Sequence, residues 1–269
     1  MPVSLQEIIS ATRQKLADVR LKTSTHELER LAQAHSPRGF RRGLQNKSKH
    51  GTAIIAELKK ASPSRGLIRA DFDVRKLATE FEAAGAAALS VLTDQEYFQG
   101  SLAELQTASK STSLPCLRKD FIIDEFQVLE ARANRADAIL LIVAALSDSE
   151  LTKLRERALE LELDILCEVH DAEELRRAAD IGFDLIGVNN RDLRTFHVDL
   201  NTALRLADYF PKTALRIAES GIHSKDDLAK LRGAGYQAFL IGESLMKASS
   251  PKHALQELLT DLPKAVVVQ

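Results

Sequence analysis

The chain has 269 residues, 45% hydrophobic and 28% charged, which is typical of a folded globular protein and not of a disordered one. Its 37 Lys and Arg nearly balance its 38 Asp and Glu, so no global field draws it to nucleic acid or to a membrane surface. The longest apolar run, residues 138–146, is far shorter than the roughly 20 residues that cross a bilayer. We expect no nucleic-acid partner and no membrane association.

The N-terminal residues lack a basic stretch followed by an apolar one, so a secretion signal is not expected. Cys116 and Cys167 are far apart and stand in no zinc-type or disulfide-type spacing, and the seven histidines are scattered. Nucleotide-binding glycine motifs and a Gly-x-Ser-x-Gly motif are absent from the sequence. The sequence therefore predicts a cytoplasmic protein without a metal ion or other cofactor.

The first 50 residues differ from the rest of the chain. Helical spacing predicts helices over residues 5–19 and 25–34, and residues 35–50 form a basic segment interrupted by Pro and Gly. The five Lys and Arg of that segment fit a solvated connector, the attraction of an anionic substrate, or RNA binding. We predict that residues 1–50 are a helical extension covering the mouth of a domain formed by residues 51–269, in a single-domain protein.

From residue 53 onward, short apolar or β-branched runs recur every 21 to 35 residues. They predict eight strands, over residues 53–58, 88–92, 114–118, 137–143, 163–169, 184–188, 214–219 and 238–242. Amphipathic helices are predicted between them, for example over residues 74–84, 147–161, 172–181 and 225–234, and several end at a glycine. Eight βα units favour a closed (β/α)8 TIM barrel over an open doubly wound sheet.

In such a barrel the chemistry lies where strands end and βα loops begin. Glu57 and Lys59 share one face of the first strand, Lys119 ends the third, and Glu168 ends the fifth. Buried charges of both signs at one mouth are costly unless they pair or serve a ligand, so they suit general acid–base catalysis or an ion-pair network. We expect each lysine to be protonated and each glutamate ionised. The same alternation turns both cysteines outward into packing positions, and His170 is assigned to a polar loop.

Small residues follow the last two strands, in Glu219-Ser-Gly221 and Gly242-Glu-Ser244. Such residues let backbone N–H groups approach the oxygens of a phosphate, as barrel phosphate sites require. Each segment is also an ordinary turn sequence. Together, at these two positions, they predict a phosphorylated small-molecule substrate.

These residues resemble the indole-3-glycerol phosphate synthase family. The resemblance rests on six segments in order: Ile55-Ala-Glu-Leu-Lys-Lys-Ala-Ser-Pro-Ser-Arg-Gly66, Leu92-Thr-Asp-Gln-Glu-Tyr-Phe-Gln-Gly-Ser101, Leu117-Arg-Lys-Asp-Phe-Ile-Ile-Asp124, Gly187-Val-Asn-Asn-Arg-Asp-Leu193, Ala218-Glu-Ser-Gly-Ile222 and Leu240-Ile-Gly-Glu-Ser-Leu-Met246. It implies the ring closure of 1-(2-carboxyphenylamino)-1-deoxyribulose 5-phosphate to indole-3-glycerol phosphate, with loss of CO2 and water, in tryptophan biosynthesis.

The resemblance also implies roles for individual residues. Lys119 would be the general acid and Glu168 the general base, with Lys59, Glu57, Asn189 and Glu219 as further members of the catalytic set. The residues implied for substrate binding are Ser220, Gly221, Gly242, Glu243, Ser62 and Lys59 for the phosphate, Arg191 for the anthranilate carboxylate, and Phe98, Phe121 and Leu193 for the anthranilate ring.

Three alternatives remain open on the sequence. One is another phosphosugar barrel such as phosphoribosylanthranilate isomerase, which would need a Cys/Asp pair at strand ends. A second is a phosphosugar-binding barrel without catalysis, and a third is RNA binding through residues 35–50. A monomer is expected, and a homodimer is compatible with the sequence.

Overall fold

The computed structural model describes residues 4–260 and contains eight parallel strands closed into a barrel. The barrel strands are β1 (Ala53–Leu58), β2 (Ala88–Leu92), β3 (Cys116–Lys119), β4 (Ala138–Ile142), β5 (Asp164–Val169), β6 (Leu185–Asn189), β7 (Leu215–Glu219) and β8 (Ala238–Ile241). Strands adjacent in sequence pair with each other, and β1 closes the barrel by pairing with both β2 and β8. The predicted (β/α)8 barrel is confirmed.

Helices surround this barrel. Their bounds are α1 (Leu5–Lys22), α2 (Thr25–Gln33), α3 (Phe40–His50), α4 (Val74–Ala84), α5 (Gln95–Phe98), α6 (Leu102–Ser111), α7 (Glu125–Ala133), α8 (Asp148–Glu160), α9 (Ala172–Ile181), α10 (Asn201–Leu206), α11 (Lys225–Gly233), α12 (Glu243–Lys247) and α13 (Pro251–Leu259). Short 3-10 turns cover Val143–Ala145 and Ala207–Tyr209. Among residues 4–260, no helix is both long and apolar enough to cross a membrane.

Local sequence explains where these helices begin and end. Asp73 accepts a hydrogen bond from the backbone N–H of Lys76 at the start of α4, and Asp171 does the same for Glu174 in α9. Gly85 and Gly182 follow the two helices with φ of +96° and +86°, a left-handed conformation that favours glycine. These caps return the chain to the next strand within a few residues.

Alternate side chains of each strand point to opposite faces and belong to two different apolar cores. Outward residues of the strands pack against the helices, and Cys116 and Cys167 lie in that layer as buried free thiols. Burial raises the pKa of Cys116 to about 12, so it is no nucleophile at neutral pH. Inward residues such as Ile55, Leu117 and Leu166 fill the barrel interior. The prediction that both cysteines serve packing agrees with this placement.

The inward positions continue the same alternation up to the carboxyl ends of the strands. Leu117 is followed two residues later by Lys119, Leu166 by Glu168, and Ile217 by Glu219. The barrel interior therefore changes from apolar to charged over a single step of the pleat. The inward side chains that could act on a substrate therefore lie at the carboxyl ends of the strands.

The structure separates the two halves of the predicted extension. Helix α1 lies over the carboxyl ends of the strands, where Leu5 and Ile8 line the central cavity. Arg20, near the end of α1, pairs with Asp124 and stacks over the ring of Phe126. Only this first part of the extension therefore contacts the barrel mouth. The division of the chain at residue 50 stays a prediction, and residues 1–3 and 261–269 lie outside the described residues.

Residues 35–50 instead close the opposite end of the barrel. They contain a helix, α3, that was expected to be irregular, and its Phe40 and Leu44 are fully buried beneath the interior core. The Arg38 guanidinium binds Asp137 with an N–O distance of 2.5 Å, and the backbone N–H of Arg41 donates to Asp164 at 2.9 Å. Both aspartates lie at strand starts. The expectation that this basic segment covers the substrate is wrong, because two of its arginines are engaged at the amino-terminal end.

Candidate active site

One cavity at the carboxyl ends of the strands is lined by every residue that the sequence analysis assigned to catalysis or substrate binding. Its lining includes Glu57, Lys59, Ser62, Phe98, Lys119, Phe121, Glu168, Asn189, Arg191, Leu193, Glu219, Ser220, Gly221, Gly242 and Glu243. They come from segments far apart in the chain and meet because parallel strands all end at the same rim.

Lys119 lies at the centre of the charged part of the cavity. Its Nζ is 3.1 Å from Glu168 Oε2 and 3.7 Å from Glu219 Oε2. Asn189 Nδ2 donates to the other oxygen of Glu168, at 3.2 Å. Glu168 and Glu219 are only 1% and 2% exposed, so these charges interact in a medium that screens them far less than water does.

The electrostatics of Lys119 and Glu168 favour their charged forms. Burial by itself would lower the pKa of Lys119, but the negative charges of Glu168, Glu219 and Glu57 outweigh it and hold this pKa above its usual range. Burial would raise the pKa of Glu168, but the positive charges of Lys119 and His170 and a hydrogen bond from Asn189 hold it well below its usual range. The expectation of a protonated lysine and an ionised glutamate agrees with the structure for this pair.

Glu219 behaves differently from the other carboxylates. Burial and the negative charges of Glu168 and Glu57 raise its pKa to about 8, in spite of the nearby Lys119. Its Oε1 has no hydrogen-bond partner among the described residues. The expectation that every glutamate ionises readily does not fit Glu219, because one cation cannot compensate several buried carboxylates. Its raised pKa favours the protonated form more than for the other carboxylates of the cavity.

Glu57 and Lys59 form a second pair on β1, with 2.5 Å between Lys59 Nζ and Glu57 Oε2. The neighbouring Gly242 provides the space for this carboxylate. A Cβ atom at Gly242 would lie 2.2 Å from Glu57 Oε2 and 2.9 Å from Glu57 Cβ. The sequence assigned Gly242 to phosphate binding only, and the structure adds a packing reason for glycine at this position.

The turn after β7 is held in an unusual backbone conformation. Ser220 and Gly221 have φ of +66° and +77°, in the left-handed region. The side-chain amide of Asn190 donates to the carbonyls of Glu219 and Ser220, at 3.0 Å and 3.1 Å. These two hydrogen bonds from Asn190 stabilise the turn. No role was assigned to Asn190 from the sequence.

Glu243 joins three cations at the other side of the cavity. Its carboxylate lies 3.0 Å from Arg65 Nε, 3.3 Å from Arg191 Nη2 and 2.6 Å from Lys247 Nζ. Arg65 belongs to a short antiparallel hairpin, formed by Ala61–Ser62 and Gly66–Leu67, that the sequence did not predict. The hairpin thus reaches across the cavity and contacts the segment after β8.

The apolar part of the cavity lies between the β2 and β3 loops. The rings of Phe98 and Phe121 have centroids 6.3 Å apart and are tilted by 39°, and Leu193 lines the same cavity. Leu5 and Ile8 of α1 add apolar surface that sequence reasoning did not assign to the site. Their helical spacing was visible and the extension was expected over the mouth, but the sequence did not show which of its side chains would face the cavity.

His170 is closer to the catalytic set than predicted. It directly follows β5, and its Nε2 lies 3.4 Å from Glu168 Oε1, so its side chain belongs to the charged cluster and not to a solvated loop.

Within residues 4–260, no group of three or more His, Cys, Asp or Glu side chains has an arrangement that could hold a metal ion.

Comparison with known structures supports the fold. The barrel resembles thiamine phosphate pyrophosphorylase from Pyrococcus furiosus, with a TM-score of 0.58 and 17% identity, over 78% of this chain and 95% of that one. It also resembles a mandelate oxidase mutant, with a TM-score of 0.55 and 16% identity, over 77% of this chain and 69% of that one. At such identities the likeness concerns the fold alone.

Comparison with sequences is more specific. The family model described as indole-3-glycerol phosphate synthase matches residues 5–258. The indole-3-glycerol phosphate synthase of Koribacter versatilis is 60% identical over 259 residues, covering 96% of this chain and all of that one. That of Acidithiobacillus ferrooxidans is 49% identical, covering 96% of this chain and 98% of that one. The chain belongs to the indole-3-glycerol phosphate synthase family.

Proposed function

We propose that the protein catalyses the closure of 1-(2-carboxyphenylamino)-1-deoxyribulose 5-phosphate to indole-3-glycerol phosphate, with loss of CO2 and water. The observation that carries this proposal is the position of the Lys119 ammonium, in a cavity that also holds an apolar slot and two turns of small residues. The substrate has an aromatic ring, a reactive ketone and a phosphate. Each part of the cavity suits one of these groups.

Lys119 is proposed as the general acid for ring closure. It is protonated at neutral pH, and its donation to the ribulose carbonyl oxygen lets the aromatic carbon that bears the carboxylate attack the carbonyl carbon. A carbon–carbon bond forms and the carbonyl becomes a hydroxyl group. Loss of CO2 then returns the electron pair of the broken bond to the ring.

Glu168 is proposed as the base that takes a proton during the loss of water. Its low pKa in the substrate-free site depends strongly on the charge of Lys119. Once Lys119 has given its proton to the substrate, that charge disappears and the pKa of Glu168 rises. Proton donation by one residue therefore prepares the other to accept a proton, and the 3.1 Å contact couples them.

The remaining charged residues are proposed to position the substrate. Lys59 would stabilise an anionic group and supply the proton for the leaving hydroxyl, while Glu57 and Asn189 orient the substrate hydroxyls and the lysines. Glu219, whose raised pKa favours the protonated form, would support Lys119 with a further exchangeable proton. Placing these groups around one substrate reduces the entropy cost of reaching the transition state.

The substrate's phosphate is proposed to lie on the two turns after β7 and β8. Backbone N–H groups of Ser220, Gly221, Gly242 and Glu243 would bind its oxygens, and Ser62 and Lys59 would close over it.

Arg191 is proposed to bind the anthranilate carboxylate, which would require it to release Glu243. The anthranilate ring would occupy the slot lined by Phe98, Phe121 and Leu193. These two contacts would fix the carboxylate-bearing carbon of the ring relative to Lys119.

We propose that the protein acts as a monomer in the cytoplasm; this chain itself supplies the charged group, the apolar slot and the two turns proposed for the substrate. The competing isomerase would need a cysteine at the mouth, and both cysteines are buried on the outer side of the barrel.

Purified protein is tested with the carboxyphenylamino-deoxyribulose phosphate, and indole fluorescence is recorded. Appearance of indole product supports the proposal. Saturable binding without product would instead favour a phosphosugar-binding barrel, and turnover of phosphoribosylanthranilate alone would favour an isomerase.

A further inference from the structure

His170 lies between two carboxylates. Its Nδ1 is 3.0 Å from Glu174 Oε2, and its Nε2 is 3.4 Å from Glu168 Oε1. The backbone N–H of His170 donates to the same Glu174 oxygen, at 2.8 Å. The side chain is 14% exposed, so water contributes little to the solvation of the ring. The imidazole therefore connects the first turn of α9 to the catalytic carboxylate.

The arrangement calls for a positively charged ring. A neutral imidazole with its N–H on Nδ1 would turn the lone pair of Nε2 towards Glu168, whereas the imidazolium is attracted by both carboxylates. The Nε2 contact is not aligned as a hydrogen bond, so it is an attraction between opposite charges. Burial would lower the pKa of His170, but the negative charges of Glu168 and Glu174 and the hydrogen bond with Glu174 outweigh it and raise the pKa to about 10. The geometry and the local charges thus agree that the ring is cationic at neutral pH.

The charged groups around the ring are few. Glu168 faces it from β5 and Glu174 from α9, while Lys119 and Glu219 lie beyond the Glu168 carboxylate. The Glu174 carboxylate is held by the backbone N–H and by Nδ1 of His170. The Glu168 carboxylate is in turn contacted by Lys119, Asn189 and the ring of His170.

We propose that His170, as an imidazolium held by Glu174, is a positioning residue that keeps Glu168 oriented towards Lys119. The inference rests on the proposed function of Glu168 as the base. His170 is not part of the cavity lining, so it acts through Glu168 and not by touching the substrate. Its removal is expected to slow turnover without weakening substrate binding.

The kinetic test compares His170→Asn with His253→Asn. His253 forms the same type of pair with a glutamate four residues later, His253–Glu257 at 3.2 Å, but it is exposed on α13. We expect His170→Asn to lower kcat roughly tenfold, equivalent to about 1.4 kcal/mol on the barrier, with KM within about twofold of the wild type. His253→Asn should leave both constants unchanged. A His170→Asn enzyme with wild-type kcat, or a loss confined to KM, would overturn the proposal.

The charge of the ring is tested with Glu174→Gln, which keeps a hydrogen-bond acceptor and removes one negative charge. The pKa of His170 should fall by about one unit or more, so the alkaline limb of the kcat–pH profile moves towards neutral pH. In the double variant His170→Asn/Glu174→Gln this movement should vanish, since no ring is left to titrate. A purely structural pair would lower activity equally at all pH values and overturn the inference.

An NMR titration of the histidine rings separates this inference from the proposed function. The signal of His170, assigned by its loss in His170→Asn, should stay in the imidazolium position up to pH 8 in the substrate-free protein. A ring that is neutral at pH 7 would overturn the inference whatever the activity. Absence of indole product from the wild type would overturn the proposed function and leave the ring measurement interpretable.

Discussion

Charged side chains are buried at both ends of the barrel, but their hydrogen bonding differs between the two ends. At the amino-terminal end Asp137 is fully buried and accepts hydrogen bonds from Arg38, His35 and the backbone N–H of Cys116. At the carboxyl-terminal end Glu219 is equally inaccessible, yet its Oε1 has no partner among the described residues. The first arrangement is complete within the protein, and the second leaves a buried carboxylate oxygen without a partner on a residue that lines the cavity.

This difference distinguishes charges that stabilise the fold from charges that serve a ligand. Burial would raise the pKa of Asp137, but its hydrogen bonds from His35 and Arg38 hold it below the usual range. Burial and like charges push the pKa of Glu219 in the opposite direction. A buried carboxylate with a raised pKa costs stability when it ionises, and active sites tolerate that cost.

The largest effect on stability is expected at the amino-terminal end. Asp137→Asn removes the negative charge that compensates Arg38, and breaking a buried ion pair costs about 3–5 kcal/mol of unfolding free energy. Chemical denaturation measures this, and kcat of the folded fraction should hardly change. Asp180→Asn, in an exposed pair with Arg176, is the control and should change stability by less than about 1 kcal/mol. A large loss of kcat in Asp137→Asn would contradict the statement that the buried charge at the amino-terminal end serves stability and not activity.

Lys119→Ala should have the largest effect on catalysis at the carboxyl-terminal end. Turnover should fall by roughly 10² or more while substrate binding stays nearly intact, the scale expected for the loss of a general acid. Steady-state kinetics with the indole fluorescence assay provides the measurement. Lys110→Ala, on the exposed side of α6, serves as the control. Turnover close to that of the wild type would exclude Lys119 from the mechanism.

The pH dependence of stability should reveal the proton on Glu219. Its pKa is about 8 in the folded protein and about 4.3 in an unfolded chain. Between these values the folded state holds a proton that the unfolded state has released, so rising pH lowers stability by at most about 1.4 kcal/mol per unit. Unfolding free energies of the wild type and Glu219→Gln are compared from pH 5 to 9. The wild type should lose stability relative to the variant up to about pH 8, and a constant difference would mean that Glu219 is ionised.

The smallest effect is expected from the removal of α1 alone. Deletion of residues 1–22 removes Leu5 and Ile8 from the cavity wall and should raise KM roughly tenfold, equivalent to about 1.4 kcal/mol. Deletion of residues 1–45 also removes Phe40 and Leu44 and should prevent stable folding. KM and the thermal midpoint separate the two deletions. If the two deletions changed KM and the thermal midpoint equally, the assignment of α1 and α3 to opposite ends of the barrel would be contradicted.

Much of the fold was predictable because the signal is local. The eight strands and helices such as α4 and α9 follow from apolar periodicity and from caps at Asp73, Asp171, Gly85 and Gly182, within one or two residues at most ends. Helix α3 was missed because Gly39, Gly43 and several basic residues obscure its two apolar positions. Its helicity depends on the burial of Phe40 and Leu44, which is a tertiary effect.

The sequence by itself determined the barrel, the family and the set of residues at the strand ends, since period-two alternation and strand length decide which side chains face inward. Only the tertiary structure decided how those residues affect one another. It placed the basic segment at the opposite end, put His170 against Glu168, and gave Glu219 a raised pKa. The physical reason is that hydrogen bonds and buried charges depend on distances between segments remote in sequence, and burial makes those distances decisive.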